Sequence, residues 1–190
     1  HRHEIEVIDH RLFQRLRNIC QNDILSLVFP GATHSRFLHS IGVMHVGDRM
    51  FRAMMDAYLR ERQLSRHPEL TFEQLDAIDY MAKVIRLACL LHDSGHSSFS
   101  HQFNQADRIQ RLMQVPGRFA QLWHEIDVSA FYPEEPRVLE HEHYSVRVAH
   151  DVLMAVDLEG AGLHAEDVIG IMETTKVKPS ETFCRHARTF

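Results

Sequence analysis

The chain has 190 residues, enough for one domain with a sizeable core. Its charged fraction of 25% and hydrophobic fraction of 44% are ordinary for a soluble globular protein, and a formal net charge of -5 argues against a broad nucleic-acid-binding surface while leaving room for a local basic pocket. Three dispersed cysteines, Cys20, Cys89 and Cys184, argue against a disulfide framework, and no apolar run is long enough to span a bilayer, so the expectation is a cytoplasmic protein without a membrane segment or secretory leader.

The first element is helical: Ile5, Ile8, Leu12, Leu16 and Ile19 recur at helical spacing. Pro30-Gly31 then breaks the chain. A long helix is predicted from about Arg36 to Leu64, with Phe37, Ile41, Met44, Phe51, Met55 and Leu59 on roughly one face. After the loop "RHPELT", Thr71 and Gln74 form a capping-box pattern that opens a helix ending near Leu91. Its last turns, "VIRLACLL", are apolar all round and predict burial on every side. "HDSGHSSFSHQF" reads as a break followed by a short helix. Pro116, Gly117, Pro133 and Pro136 make residues 114–138 an irregular excursion around a short helix. "EHEHYSVRVAHDVLMAV" and "AEDVIGIMETT" are helical again. No alternating strand pattern appears, so the class is an all-α bundle of about six or seven helices. The expected organisation is a single domain over residues 1–190 with its core in residues 5–175. A start without Met, and a finish at "CRHARTF" with no evident cap or closing helix, predict a fragment that lacks part of its C-terminal region.

One total is unusual, the 16 histidines, and it matters only if several converge in space. The densest group is in "RLACLLHDSGHSSFSH", which holds His92, Asp93, His96 and His101. Adjacent residues on a regular helix point about 100 degrees apart. At a helix end, where Gly95 lets the backbone turn, His92 and Asp93 can face one ion. Imidazole nitrogen with carboxylate oxygen suits a divalent ion such as Mn, Fe, Ni or Zn. A bare His-Asp pair is common and by itself reads as a capping His beside a solvated Asp. The apolar run that delivers His92 from the core raises its weight, because an unpaired buried polar group is costly. His39, in "RFLHSIGV" on the earlier helix, is a second candidate ligand.

A His followed some fifty residues later by His-Asp resembles the HD-domain metal-dependent phosphohydrolase superfamily. "FQRLRNI", "FPGATHSRFLHSIGV", "LLHDSGHSSFSHQF" and "HEHYSV", with His141, Glu142 and Ser145, resemble its deoxynucleoside triphosphate triphosphohydrolase branch, in particular the catalytic domains of the sterile-alpha-motif and HD-domain dNTPases and bacterial relatives. The likeness covers roughly residues 5–105 and 139–150. It implies an HD-domain helical bundle. It also implies attack of metal-activated water on the α-phosphate of a dNTP, which releases deoxynucleoside and triphosphate.

By this resemblance His39, His92 and Asp93 are metal ligands, for Mn, Fe, Ni, Zn or Mg. His96 and His101 face the phosphates. His101 is the favoured proton donor to the departing 5′ oxygen, with His141 and His96 as phosphate-binding or proton-handling partners. Read without the resemblance, each of these three is an ordinary supporting or surface histidine. Arg36 stands three residues before His39, on the same helix face, where an Arg is a natural phosphate clamp. Gln21 matches a Gln that contacts the sugar. Asp9, Arg15 and Arg17 read equally as a salt-bridged surface helix or as a contact for a nucleotide effector. Relatives in this branch are often oligomers, so a homo-oligomer is expected by analogy. The second His-Asp pair, His150-Asp151, lies mid-helix without a glycine turn and reads as a solvated face.

Two departures stand out. The branch has a final Asp ligand on a later helix, and Asp151, Asp157 and Asp167 lack its context. Asn104 stands where relatives tend to carry an acid near the catalytic His, which weakens support for an imidazolium at His101. Another HD phosphohydrolase, such as a nucleotidase or phosphodiesterase, or a non-catalytic nucleotide-binding regulatory protein, are the alternative readings.

Overall fold

A computed structural model describes residues 1–64, 70–98, 106–123, 126–132, 134, 136, 138, 140–172 and 177–190. Helices carry the fold. They are α1 (Arg2–Asp9), α2 (Arg11–Gln14), α3 (Arg36–Leu64), α4 (Phe72–Leu91), α5 (Asp107–Met113), α6 (Arg118–Leu122), α7 (His141–Met154), α8 (Ala165–Met172) and α9 (Glu181–Ala187). Among the described residues the one extended pairing is a single antiparallel bridge between Cys20 and Ser35.

The long pair α3 and α4 is the spine. α4 starts where expected: the Thr71 hydroxyl accepts from Gln74 N–H at 3.2 Å, and the Gln74 side chain accepts from Thr71 N–H at 3.0 Å. Its C-terminal half buries Val84, Leu87, Leu90 and Leu91 completely. Each such side chain stabilises the fold by about 1.5–3 kcal/mol. The predicted face of α3 turns the same way, with Phe37, Met44 and Phe51 buried. α8 and α9 pack on α4, and α7 packs on α8.

Two expectations need correction. The helical run through Ile5–Ile19 is interrupted: His10 is extended (φ -65°, ψ 134°), and its imidazole accepts from Leu12 N–H at 3.3 Å, so a second helix starts there. Arg15–Asn18 then tightens into a 3-10 turn. The end of the chain does carry a capped closing helix. The Ser180 hydroxyl accepts from Phe183 N–H at 3.0 Å and opens α9. Ser180 itself is anchored by Asp167, which accepts from its N–H at 2.7 Å and its hydroxyl at 2.6 Å while also accepting from the Tyr80 hydroxyl. These are long-range contacts, which explains why local sequence pattern did not disclose them.

Candidate metal centre

α4 ends at Leu91, and the chain turns sharply: Ser94 N–H donates to Leu91 O at 2.9 Å and His96 N–H to Asp93 O at 3.2 Å. The turn is held on two sides. Arg15 donates through Nη1 to His96 O at 2.7 Å and through Nη2 to Ser94 O. From α7, the Ser145 hydroxyl accepts from Gly95 N–H at 2.9 Å. A Cβ at Gly95 would sit 2.1 Å from Ser145 N, so glycine is required by close approach of two backbones.

On α3, a short pairing fixes the start of the helix. Arg36 N–H donates to Ile19 O at 2.8 Å, and Gln21 N–H donates to His34 O at 3.0 Å. Arg36 and His39 share a face, as their spacing predicts, and both meet Asp93. Arg36 Nη1 lies 2.6 Å and His39 Nε2 3.5 Å from Asp93 Oδ2. The other oxygen, Oδ1, faces His92 Nε2 at 3.4 Å, His96 Nε2 at 3.5 Å and His141 Nε2 at 3.9 Å. His96 and His141 stack with ring centroids 3.9 Å apart.

This arrangement fits a divalent cation. Donor atoms of His39, His92 and Asp93 all lie within 4.8 Å of one another, and Asp93, His96 and His141 form a second such group. His92 Nδ1 is 2.7 Å from Cys89 O. A carbonyl only accepts, so Nδ1 carries a proton, and Nε2 is the nitrogen turned toward the site. Burial pushes the His39 pKa down, against the pull of Asp93, which favours the neutral imidazole that ligation needs. Burial pushes Asp93 up, but the hydrogen bond from His96 and the charges of His92, His96 and Arg36 outweigh it and hold the carboxyl well below the usual range. Two imidazole nitrogens and a carboxylate oxygen are a borderline-hard N,N,O set.

The remaining expected residues lie as follows. Among the described residues the Gln21 side-chain oxygen is buried without a partner, and its main-chain carbonyl is 3.4 Å from Arg36 Nη2. His101 and Asn104 lie outside the described residues. Of the three later acids, Asp167 is committed to Tyr80 and Ser180, Asp151 pairs with Arg147 at 3.2 Å, and Asp157 accepts from Gly160 N–H at 2.9 Å. None joins the cluster, so among the described residues each of the two candidate groups offers three donors, with Asp93 common to both. His150-Asp151 is half-buried on α7, away from that cluster. Arg17 is exposed, with its guanidinium 3.7 Å over the Phe37 ring. The clamp from Arg15 was not legible from sequence, since nothing local marks a contact spanning some eighty residues.

No family model matches the chain. Over 100 residues, 53% of the chain, it is 42% identical to the deoxynucleoside triphosphate triphosphohydrolase SAMHD1 of Danio rerio. Over 99 residues it is 37% identical to the SAMHD1 homolog of Dictyostelium discoideum. Over 103 residues it is 41% identical to an HD domain-containing protein of Acanthamoeba polyphaga mimivirus. The matched stretches span 14%, 16% and 21% of those three proteins, well under a quarter of their length.

Proposed function

We propose that this chain, an HD-domain dNTPase-like relative over about half its length, is the metal-binding part of a phosphohydrolase that cleaves deoxynucleoside triphosphates into deoxynucleoside and triphosphate. The observation that carries the reading is the convergence of His39 and His92 on Asp93, two helices delivering three donors to one point. A divalent ion held there supplies Lewis acidity: it lowers the pKa of water and offsets charge on phosphoryl oxygens.

The chain's own residues do the rest. His39 and His92 offer imidazole nitrogens, burial favours the neutral form of His39, and Asp93 keeps its charge at neutral pH. The stacked His96 and His141 offer imidazoles to hold phosphate oxygens or to move a proton. His96 is sealed from solvent, while His141 is partly exposed. His101 is the proposed donor to the departing 5′ oxygen, and Gln21 the proposed contact for the sugar. A nucleotide effector near Asp9, Arg15 and Arg17, and a homo-oligomer, belong to the same reading.

The test is to incubate the protein with each dNTP and Mn2+ and to assay inorganic triphosphate. The expected result is triphosphate release that stops on chelation and falls at least about a hundredfold in His92→Ala or Asp93→Ala, the scale of losing charge stabilisation at the reacting centre. Turnover unchanged in those variants, or diphosphate or monophosphate as product, would contradict the proposal.

A further inference from the structure

Spacing alone makes Arg36 a phosphate clamp. Its surroundings give it a second task. The residue is 1% exposed, and its guanidinium lies between the pinched segment 19–21 and the turn that carries Asp93. Nη1 donates to Asp93 Oδ2 at 2.6 Å, a charge-assisted bond, and Nη2 lies 3.4 Å from Gln21 O. The main chain of Arg36 is tied to Ile19 O at 2.8 Å, so the base of this side chain is fixed as well.

We infer that Arg36 is a positioning residue for the metal centre: it grips one oxygen of Asp93 and so sets the rotation of the carboxylate toward the histidines. An Asp carboxylate rotates broadly about its last bond. With Oδ2 held by Arg36, Oδ1 faces His92, His96 and His141. Without the guanidinium that plane is unset, and the buried carboxylate loses its one permanently cationic neighbour within 4 Å among the described residues. Ligands of this kind depend on such partners, whose loss commonly weakens metal affinity about 10- to 100-fold.

The inference rests on the metal-centre reading, and one titration separates the two. Mn2+ binding is measured calorimetrically on wild-type protein, Arg36→Met, Arg36→Lys and Asp167→Ala. Asp167→Ala controls for a loss of stability away from the site. The expected result is Mn2+ binding by the wild type, about 10- to 100-fold weaker binding by Arg36→Met, partial recovery in Arg36→Lys, and unchanged affinity in Asp167→Ala. If Arg36→Met does not fold, Arg36→Lys decides. It keeps the charge, lacks the planar fork, and is expected to bind severalfold more weakly with an unchanged circular-dichroism spectrum. Wild-type affinity in the Arg36 variants, with a loss only in binding of inorganic triphosphate, would overturn the inference and leave the clamp as its one task. Equal weakening in Asp167→Ala would reduce it to a stability effect. A wild type that binds no Mn2+ would overturn the metal-centre reading itself.

Discussion

Gly95 is the tightest point of the site. Its missing Cβ lets the turn lie against α7, where Ser145 N would be 2.1 Å and Tyr144 C 2.3 Å from an added methyl. Both are backbone atoms and cannot swing aside. Gly95→Ala is therefore expected to push the turn from α7, part the His96–His141 stack and cost about 1–3 kcal/mol from overpacking. Urea denaturation measures this, and an unchanged midpoint would contradict the close approach. Ser145→Ala acts through a bond instead: Gly95 N–H loses its acceptor, at a cost of about 1–3 kcal/mol. At this scale the sequence was informative about identity. His39, His92, Asp93, His96 and His141, named by motif and by resemblance, lie close together in the fold. It was silent on direction: only packing shows that Arg36 points into the protein and bonds Asp93 through one arm of its fork.

At the scale of elements, α1, α3 and α4 are tied by ions. Arg86 on α4 binds Glu4 on α1, with Nη2 to Oε2 at 3.0 Å, and reaches Asp48 on α3 with Nη1 to Oδ2 at 3.2 Å. Burial pushes the Glu4 pKa up, but the Arg86 bonds outweigh it, and the folded value lies below the ordinary one. A depressed folded pKa gives stability that is present above the unfolded value and is lost as pH falls through the folded one. Wild type is thus expected to lose melting temperature below the ordinary glutamate range, while Glu4→Gln starts lower and changes less, so the two curves converge in acid. Parallel curves would contradict the tie. A second latch joins α8, α9 and α4. Asp167 accepts from Tyr80 and twice from Ser180, and burial, reinforced by Asp167, keeps the Tyr80 phenol neutral by pushing its pKa up. Asp167→Ala strands buried donors at about 1–3 kcal/mol each and should lower the urea midpoint. No shift would show that the latch contributes nothing. Helices α3, α4, α7 and α8 were legible because their apolar period or caps are local. The break at His10 was not, because histidine is not a usual cap, and α9 was not, because its anchor is the contact of Ser180 with Asp167 on another helix.

For the whole molecule, the bundle works as a frame for Asp93. α4 supplies a buried post, α3 crosses it with Arg36 and His39, and α7 closes against the turn with His141. The all-helical class followed from periodicity. The assembly of the site did not, because it requires elements far apart in sequence to meet. The fourth ligand expected by resemblance has no counterpart among the described residues, which makes the affinity of the three-donor set the quantity on which everything turns. The most direct measurement is metal stoichiometry: dialyse wild type, His39→Ala, His92→Ala and Asp93→Ala against Mn2+ and assay bound metal per chain. The account predicts at least one Mn2+ per wild-type chain and loss of that ion in each variant that remains folded by circular dichroism. A wild type with no bound metal, or variants that retain it in full, would contradict it.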